Sequence, residues 1–212
     1  MEILSGIEAT ENNKNNKNNF LPGQESNSQE AAQRLQDIGS SILRAARDEL
    51  YLGMRFLDVA LSSFVYQMDG SVSPFGTDGA VMYFHPTQLG GLYRENRILV
   101  NRGYLHMVFH CIFRHFGKPG IDRRLWNLSC DIAVEHMIDG IYHRSVRYSR
   151  SLLRRETYRL LEKEKKTLNA ERIYKILKEQ FLKEKELAQL EKEFYVDDHK
   201  YWANQQPNQK PN

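Results

Sequence analysis

Two histidines four residues apart, His106 and His110, lie in the run Leu105-His-Met-Val-Phe-His-Cys-Ile-Phe-Arg-His115. On a helix they stand about 40° apart in azimuth and one turn apart along the axis, so both imidazoles can grip one divalent metal ion. Leu105, Val108, Phe109, Ile112, Phe113 and Phe116 surround them with apolar surface on several faces, which predicts a buried helix. A buried imidazole is costly unless each ring nitrogen has a partner. A metal answers that demand, and so do ordinary hydrogen bonds. His115 follows His106 by nine residues, about 180° round the helix, and joins the same metal only if the helix unwinds before it.

The next helix carries the complementary groups. Asn127, Asp131 and Glu135 recur every four residues as one polar stripe among Leu128, Ile132, Val134, Met137 and Ile138. Zinc in a hydrolytic site takes three protein ligands, nitrogen or carboxylate oxygen, and keeps one position for water. Asp131 is the first choice for the third ligand and Glu135 the second, and a solvent-facing edge is the plain alternative for the stripe. A different grouping, Cys111, His115, Cys130 and His136, has the residue types of a closed zinc site, but its spacing matches no common zinc module. Asp197-Asp198 before His199 reads either as a second polar cluster near the cleft or as a helix end with solvated charges.

Other function classes leave weaker traces. There is no phosphate-binding glycine loop, no dinucleotide fingerprint and no serine nucleophile turn. The segment 144–166 has nine basic and three acidic residues, and Arg144, Arg147, Arg150, Arg154, Arg155 and Arg159 in it offer phosphate contacts for a nucleic-acid-binding module. Interleaved Glu156, Glu162 and Glu164 favour a solvated face instead. With a net charge of +3 the chain as a whole names no polyanionic partner.

These groups need a scaffold. The 212 residues, 41% apolar and 27% charged, suit one soluble globular domain with tails. No apolar run approaches the roughly 18 residues of a membrane span. The acidic start gives no signal peptide, and the expected location is cytoplasmic. Residues 1–28, rich in Asn and Lys, and 203–212 read as flexible tails, leaving 29–202 as the domain. Helical spacing runs from Gln29 to about Met68, with Ser26 or Ser28 as N-cap and Gly39 and Gly53 breaking or packing it. A strand is expected over 80–85, entered through Asp78-Gly79 and stopped by Pro86, then a loop at Gly90-Gly91. Helices follow over about 94–116 and 124–138, and a single one over 169–194 capped by Asn169. The whole is a mainly helical α+β domain with a small sheet or hairpin.

The chain resembles the metallopeptidase domain family that precedes von Willebrand factor A-like domains in bacterial proteins. The resemblance rests on Thr77-Asp78-Gly79 leading to His85-Pro86, the helix with His106, His110 and His115, Leu125-Trp126-Asn127 with Cys130-Asp131, Leu168 to Tyr174, and Asp198-His199 with Trp202. It implies a zincin-like fold, Zn²⁺ on the two histidines, a peptide or protein substrate, and partnership with an A-like domain or an associated ATPase. It also implies a glutamate after the first histidine, where this chain has Met107. That glutamate takes the proton from the attacking water and passes it to the leaving amine, which methionine cannot do. The expected function is therefore a zinc-binding, metallopeptidase-like domain with weak or no activity. The alternative is an active peptidase using Glu135 as base.

Overall fold

The structure, a computed structural model, describes residues 22–116, 118, 120–164, 167–180 and 182–204. The chain divides into two compact units, residues 1–33 and 34–212. Of the first unit, the described part is the beginning of helix α1 (Pro22–Gly53), with Ser28 to Gln33 exposed. The second unit contains the rest of α1, a 3-10 turn (Arg55–Leu57), α2 (Asp58–Leu61), and the strands β1 (Val65–Met68), β2 (Phe75–Thr77) and β3 (Val81–Phe84). Helices α3 (Pro86–Glu95), α4 (Arg97–Phe113), α5 (Arg123–Asp139), α6 (Leu152–Leu161), α7 (Ala170–Glu179) and α8 (Glu184–Phe194) follow, and a 3-10 segment (His199–Asn204) closes it. This is the mainly helical α+β class that the sequence predicts.

Helix α4 is the central element. All residues from Val100 to His110 are buried, as apolar groups on every face demand. It can lie against the sheet because position 103 is glycine: a Cβ there would stand 2.4 Å from a ring carbon of Phe75. One core joins α1, the sheet and α4 through Leu43, Leu50, Phe75, Phe84 and Met107. A second joins α5, α7, α8 and Trp202 through Ile132, Ile173 and Phe194. Helix α5 serves both, giving Val134 and Ile138 to the first and Leu128 and Ile132 to the second.

The sheet has the order β1-β3-β2, with β1 parallel and β2 antiparallel to β3. The expected Asp78-Gly79 turn connects β2 and β3. Gly79 has φ 93°, and Asp78 Oδ1 accepts the backbone N–H of Ala80 and Val81. The outer edge of β2 is met by the chain's own C-terminal part, where Asp198 N–H donates to Phe75 O at 2.7 Å.

Several boundaries differ from expectation. Ser26 and Ser28 lie inside α1, which begins at Pro22, so residues 22–28 of the expected tail 1–28 are helical; of the expected tails 1–28 and 203–212, residues 1–21 and 205–212 lie outside the described residues. Val65 and Met68 belong to a strand on opposite faces, because α2 ends at Leu61 and burial then alternates with period two, Tyr66 and Met68 being the more buried pair. Pro86 stops β3 but also occupies the first turn of α3, so Gly90 and Gly91 are helical. The break falls instead at Asn96, whose Oδ1 caps α4 through Ile98 N–H. The predicted cap Asn169 accepts Arg172 N–H, but its helix ends at Glu179. A new helix starts at Glu184, where the Glu186 carboxylate accepts Lys183 N–H.

Candidate metal centre

Three pieces of chain build the site. Helix α4 brings His106 and His110 one turn apart, with ring centroids at 4.5 Å. Helix α5, started by Asp122 capping Leu125 N–H, presents Asp131 towards them. The segment after α8, held on the edge of β2, inserts Asp197 and His199.

The donor atoms converge. His106 Nε2 lies 3.5 Å from Asp131 Oδ1 and 3.3 Å from Asp197 Oδ1, and His110 Nε2 lies 3.4 and 3.7 Å from the same two atoms. Two ligands on one zinc ion at 2.0–2.2 Å with tetrahedral angles are separated by about 3.3–3.6 Å. Three of the four contacts have that spacing and the fourth is 0.1 Å longer, and all four are too long for good hydrogen bonds. Indeed His106 Nε2, His110 Nε2, Asp131 Oδ1 and Asp197 Oδ2 have no hydrogen-bond partner among the described residues, although all are buried. Buried polar atoms without partners are rare and costly. The group His106, His110, Asp131 and Asp197 therefore fits a divalent cation, its ligand atoms all lying within 4.8 Å of one another.

Around these atoms stands a layer that orients them. Glu135 Oε1 is 2.9 Å from His106 Nδ1, so the proton belongs on Nδ1 and the Nε2 lone pair faces the cluster. Glu135 Oε2 accepts from Arg102 Nη2 and Arg154 Nη1, each at 2.5 Å. His110 Nδ1 is 2.9 Å from His115 Nδ1, which frees His110 Nε2 in the same way. His199 Nε2 lies 3.0 Å from Asp131 Oδ1 and 3.0 Å from Asp197 Oδ1, of which the second contact has hydrogen-bond geometry.

Charge balance points the same way. Burial alone would lower His106, but Asp131, Asp197 and Glu135 hold it well above the ordinary histidine value. His199 is likewise lifted to about 10, against its burial, by Asp131 and Asp197. Burial followed by the charge of His106 pushes His110 down to about 4, and burial followed by His110 pushes His115 down to about 3. Asp131 and Asp197 are held below the usual carboxylate range: their burial is outweighed by His199 and His106. Two buried carboxylates thus draw positive charge into the cluster. Protons on His106 and His199 supply it when nothing else does, and a dication supplies it when bound.

The structure brings together three sequence candidates, His106, His110 and Asp131. Glu135, the second choice as ligand and the candidate base, is not among the converging atoms and sits on the far nitrogen of His106. His115 does return to the site, because α4 ends at Phe113 and Arg114 takes a left-handed conformation with φ 55°. It comes as the partner of His110, with its own carbonyl fixed by Trp126 Nε1 at 3.0 Å. The cysteine grouping is not assembled. Cys111 and Cys130 are free thiols pushed up by burial, Cys111 to about 12, and His136 Nε2 contacts Glu162. Of the arginine-rich segment, Arg154 turns inward to Glu135 and Glu193 while Arg144, Arg147, Arg150 and Arg155 are exposed. Sequence reasoning missed Arg102, gave Arg154 only to a phosphate-binding face, and undervalued Asp197, a doublet acid that is 1% exposed.

A cleft of about 370 Å³ opens beside the cluster, lined by Asp131, Asp197 and His199 together with Arg123 and Asn127 from α5. Residues 39–210 match the model of a protein family described as a putative metallopeptidase domain. No curated protein and no solved structure matches the chain.

Proposed function

We start from the fact that the chain belongs to this metallopeptidase domain family, and we propose that His106, His110, Asp131 and Asp197 hold one Zn²⁺ ion in a domain of weak or no peptidase activity. The observation that carries the reading is the convergence of two imidazole nitrogens and two buried carboxylates, in which both Nε2 atoms, Asp131 Oδ1 and Asp197 Oδ2 have no hydrogen-bond partner among the described residues. Nitrogen and oxygen donors in a small four-sided cage suit zinc better than the larger oxygen cages of calcium. When bound, a zinc ion lowers the pKa of a coordinated water and polarises a carbonyl oxygen.

The chain's own residues argue for low turnover. Met107, after the first histidine, is fully buried in the core with Leu105 and Phe84 and cannot accept a proton. Glu135 is committed on both oxygens, to His106 and to two guanidinium groups, so it positions a ligand instead of moving a proton. Asp197 occupies the fourth position that hydrolytic zinc sites leave to water. In this reading His199 holds Asp197, and His115 and Glu135 fix the two histidine rings.

Elemental analysis of protein purified without a metal-binding tag tests the proposal. About one zinc per chain is expected, falling to near zero in His106→Ala. A metal content that this variant leaves unchanged overturns the assignment.

A further inference from the structure

The cleft beside the cluster has one wall that the metal reading does not use. Arg123, Asn127 and Asp131 follow one another at intervals of four on α5, and all three line this cleft. Four residues of helix advance about 6 Å and turn about 40°, so the three side chains form a rising row on one face. Asp131 is at the inner end of that row, among the metal-ligating atoms. Asn127 stands one turn out and Arg123 two turns out.

Neither outer residue has a side-chain partner among the described residues. The Asn127 amide, half-buried, makes no side-chain hydrogen bond to any described residue. Arg123 has no carboxylate among the described residues, although its neighbour Arg124 is held by both Glu184 and Glu191 and Lys200 is held by Asp69. Every other cation on the cleft wall is therefore compensated. Of the acids there, Glu191 is taken by Arg124, and Asp198 accepts the Lys200 amide. Arg123 is thus the cation of this wall that has no carboxylate among the described residues, and a donor amide lies between it and the metal.

We propose that this row binds the free C-terminal carboxylate of a peptide, with Arg123 and Asn127 as its donors and the last one or two residues of the peptide directed towards the metal centre. One or two extended residues span about 3.5–7 Å, which matches the step from Asp131 to Asn127 and the reach of an arginine from the next turn. Arginine is suited to a carboxylate because its planar fork gives two parallel charge-assisted bonds, and the adjacent amide adds a third donor. The ligand class is thus a peptide ending in a free carboxylate, bound whether or not it is cleaved. This inference rests on the metal reading for the inner end of the row.

The test compares an N-acetylated tripeptide carrying a free C-terminus with the same tripeptide amidated, by calorimetric titration into the full zinc-loaded chain whose metal content is measured on the same sample. The acid is expected to bind about tenfold or more tightly than the amide, the difference of one charge-assisted contact. Arg123→Gln, at an exposed position, is expected to keep its zinc and lose the preference, and Asn127→Ala to weaken both peptides. Equal affinity for acid and amide, no binding of either, or a preference that survives in Arg123→Gln overturns the carboxylate site while leaving the metal centre standing. A chain without zinc overturns the metal centre itself, and in that protein an acid preference lost in Arg123→Gln would still support the row.

Discussion

Glu135 Oε1 meets His106 Nδ1 at 2.9 Å while its other oxygen is shared by Arg102 and Arg154, so one buried carboxylate both aims a ligand and pairs with two arginines. These two duties separate under mutation. Glu135→Gln keeps an acceptor for His106 but removes the negative charge. Zinc affinity, read by competition with a chromogenic chelator, is expected to fall about 10–100-fold, the usual effect of losing a partner that orients a ligand. Folding stability is expected to drop by about 1.5–3 kcal/mol because two largely buried guanidinium groups lose a charged partner, Arg102 keeping only Asp139 and Arg154 only Glu193 and the longer contact to Asp139. Urea titration of the metal-free protein isolates the second effect. A variant with native zinc affinity would show that His106 does not depend on this contact.

The ligand set predicts a hierarchy. His106 and His110 come from one rigid helix, whereas Asp197 arrives on the C-terminal segment. Removing a histidine is expected to abolish stoichiometric zinc. Asp197→Ala leaves three protein ligands and an open position, and is expected to retain zinc with weakened affinity. Thermal unfolding with and without zinc reads both: at a thousand times the Kd the metal adds about 4 kcal/mol to the native protein, and nothing to His106→Ala.

Protons and metal compete for the same cluster, which sets the pH dependence of the metal-free chain. His106 and His199 have raised values, so the stability they contribute is complete below the ordinary histidine value of 6.5 and is lost as pH rises from there through about 10. Asp131, Asp197 and Glu135 have depressed values, so their contribution is present above the ordinary carboxylate values of 3.8 and 4.5 and is lost on acidification. His110 and His115 have depressed values, so their contribution is complete only above 6.5 and is lost as pH falls. The Tm of metal-free protein is therefore expected to be highest near pH 6.5 and to decline both towards pH 9 and towards acid. Zinc, by displacing these protons, should flatten the alkaline decline, and its affinity should rise with pH over the same range. A metal-free Tm that increases from pH 6 to 9 contradicts the charge balance described here.

The sequence reveals this site in proportion to how local each relationship is. The pair His106 and His110 and the stripe from Asn127 to Glu135 are readable because helical periodicity places them. The choice between Asp131 and Glu135 is not, since both share a face, and it is decided by Arg102 and Arg154, which lie 33 and 19 residues from Glu135. His115 escapes a helical projection because a non-glycine residue, Arg114, takes φ 55° and reverses the chain. Asp197 is placed by contacts of its segment with the edge of β2, Asp69 and Tyr83, all more than a hundred residues distant in sequence, which no periodicity records.

Removal of the metal should also loosen the segment that carries Asp197. From Tyr195 to Trp202 this strap is held at the β2 edge by the Asp198 to Phe75 hydrogen bond, at Asp69 by Lys200 and the Tyr201 hydroxyl, and by stacking of Tyr201 on Tyr83 at 4.0 Å. Its remaining hold is the cluster itself: Asp197 among the ligand atoms, His199 beside it, and Trp202 packed 3.8 Å from the His199 ring and 4.8 Å from His110. Without a dication, Asp197 is retained only by protons on histidines, which are shed as pH rises. At pH 8 chelation is therefore expected to speed tryptic cleavage after Lys200 by about tenfold or more and to shift tryptophan emission to the red as Trp202 meets water. Both follow from local opening, whose population responds to anything that binds only the closed form. Restored zinc should reverse both changes in the native chain and neither in His106→Ala. Equal cleavage rates with and without zinc would show that the strap is held by its contacts to β2 and Asp69 alone, and that Asp197 is not a ligand.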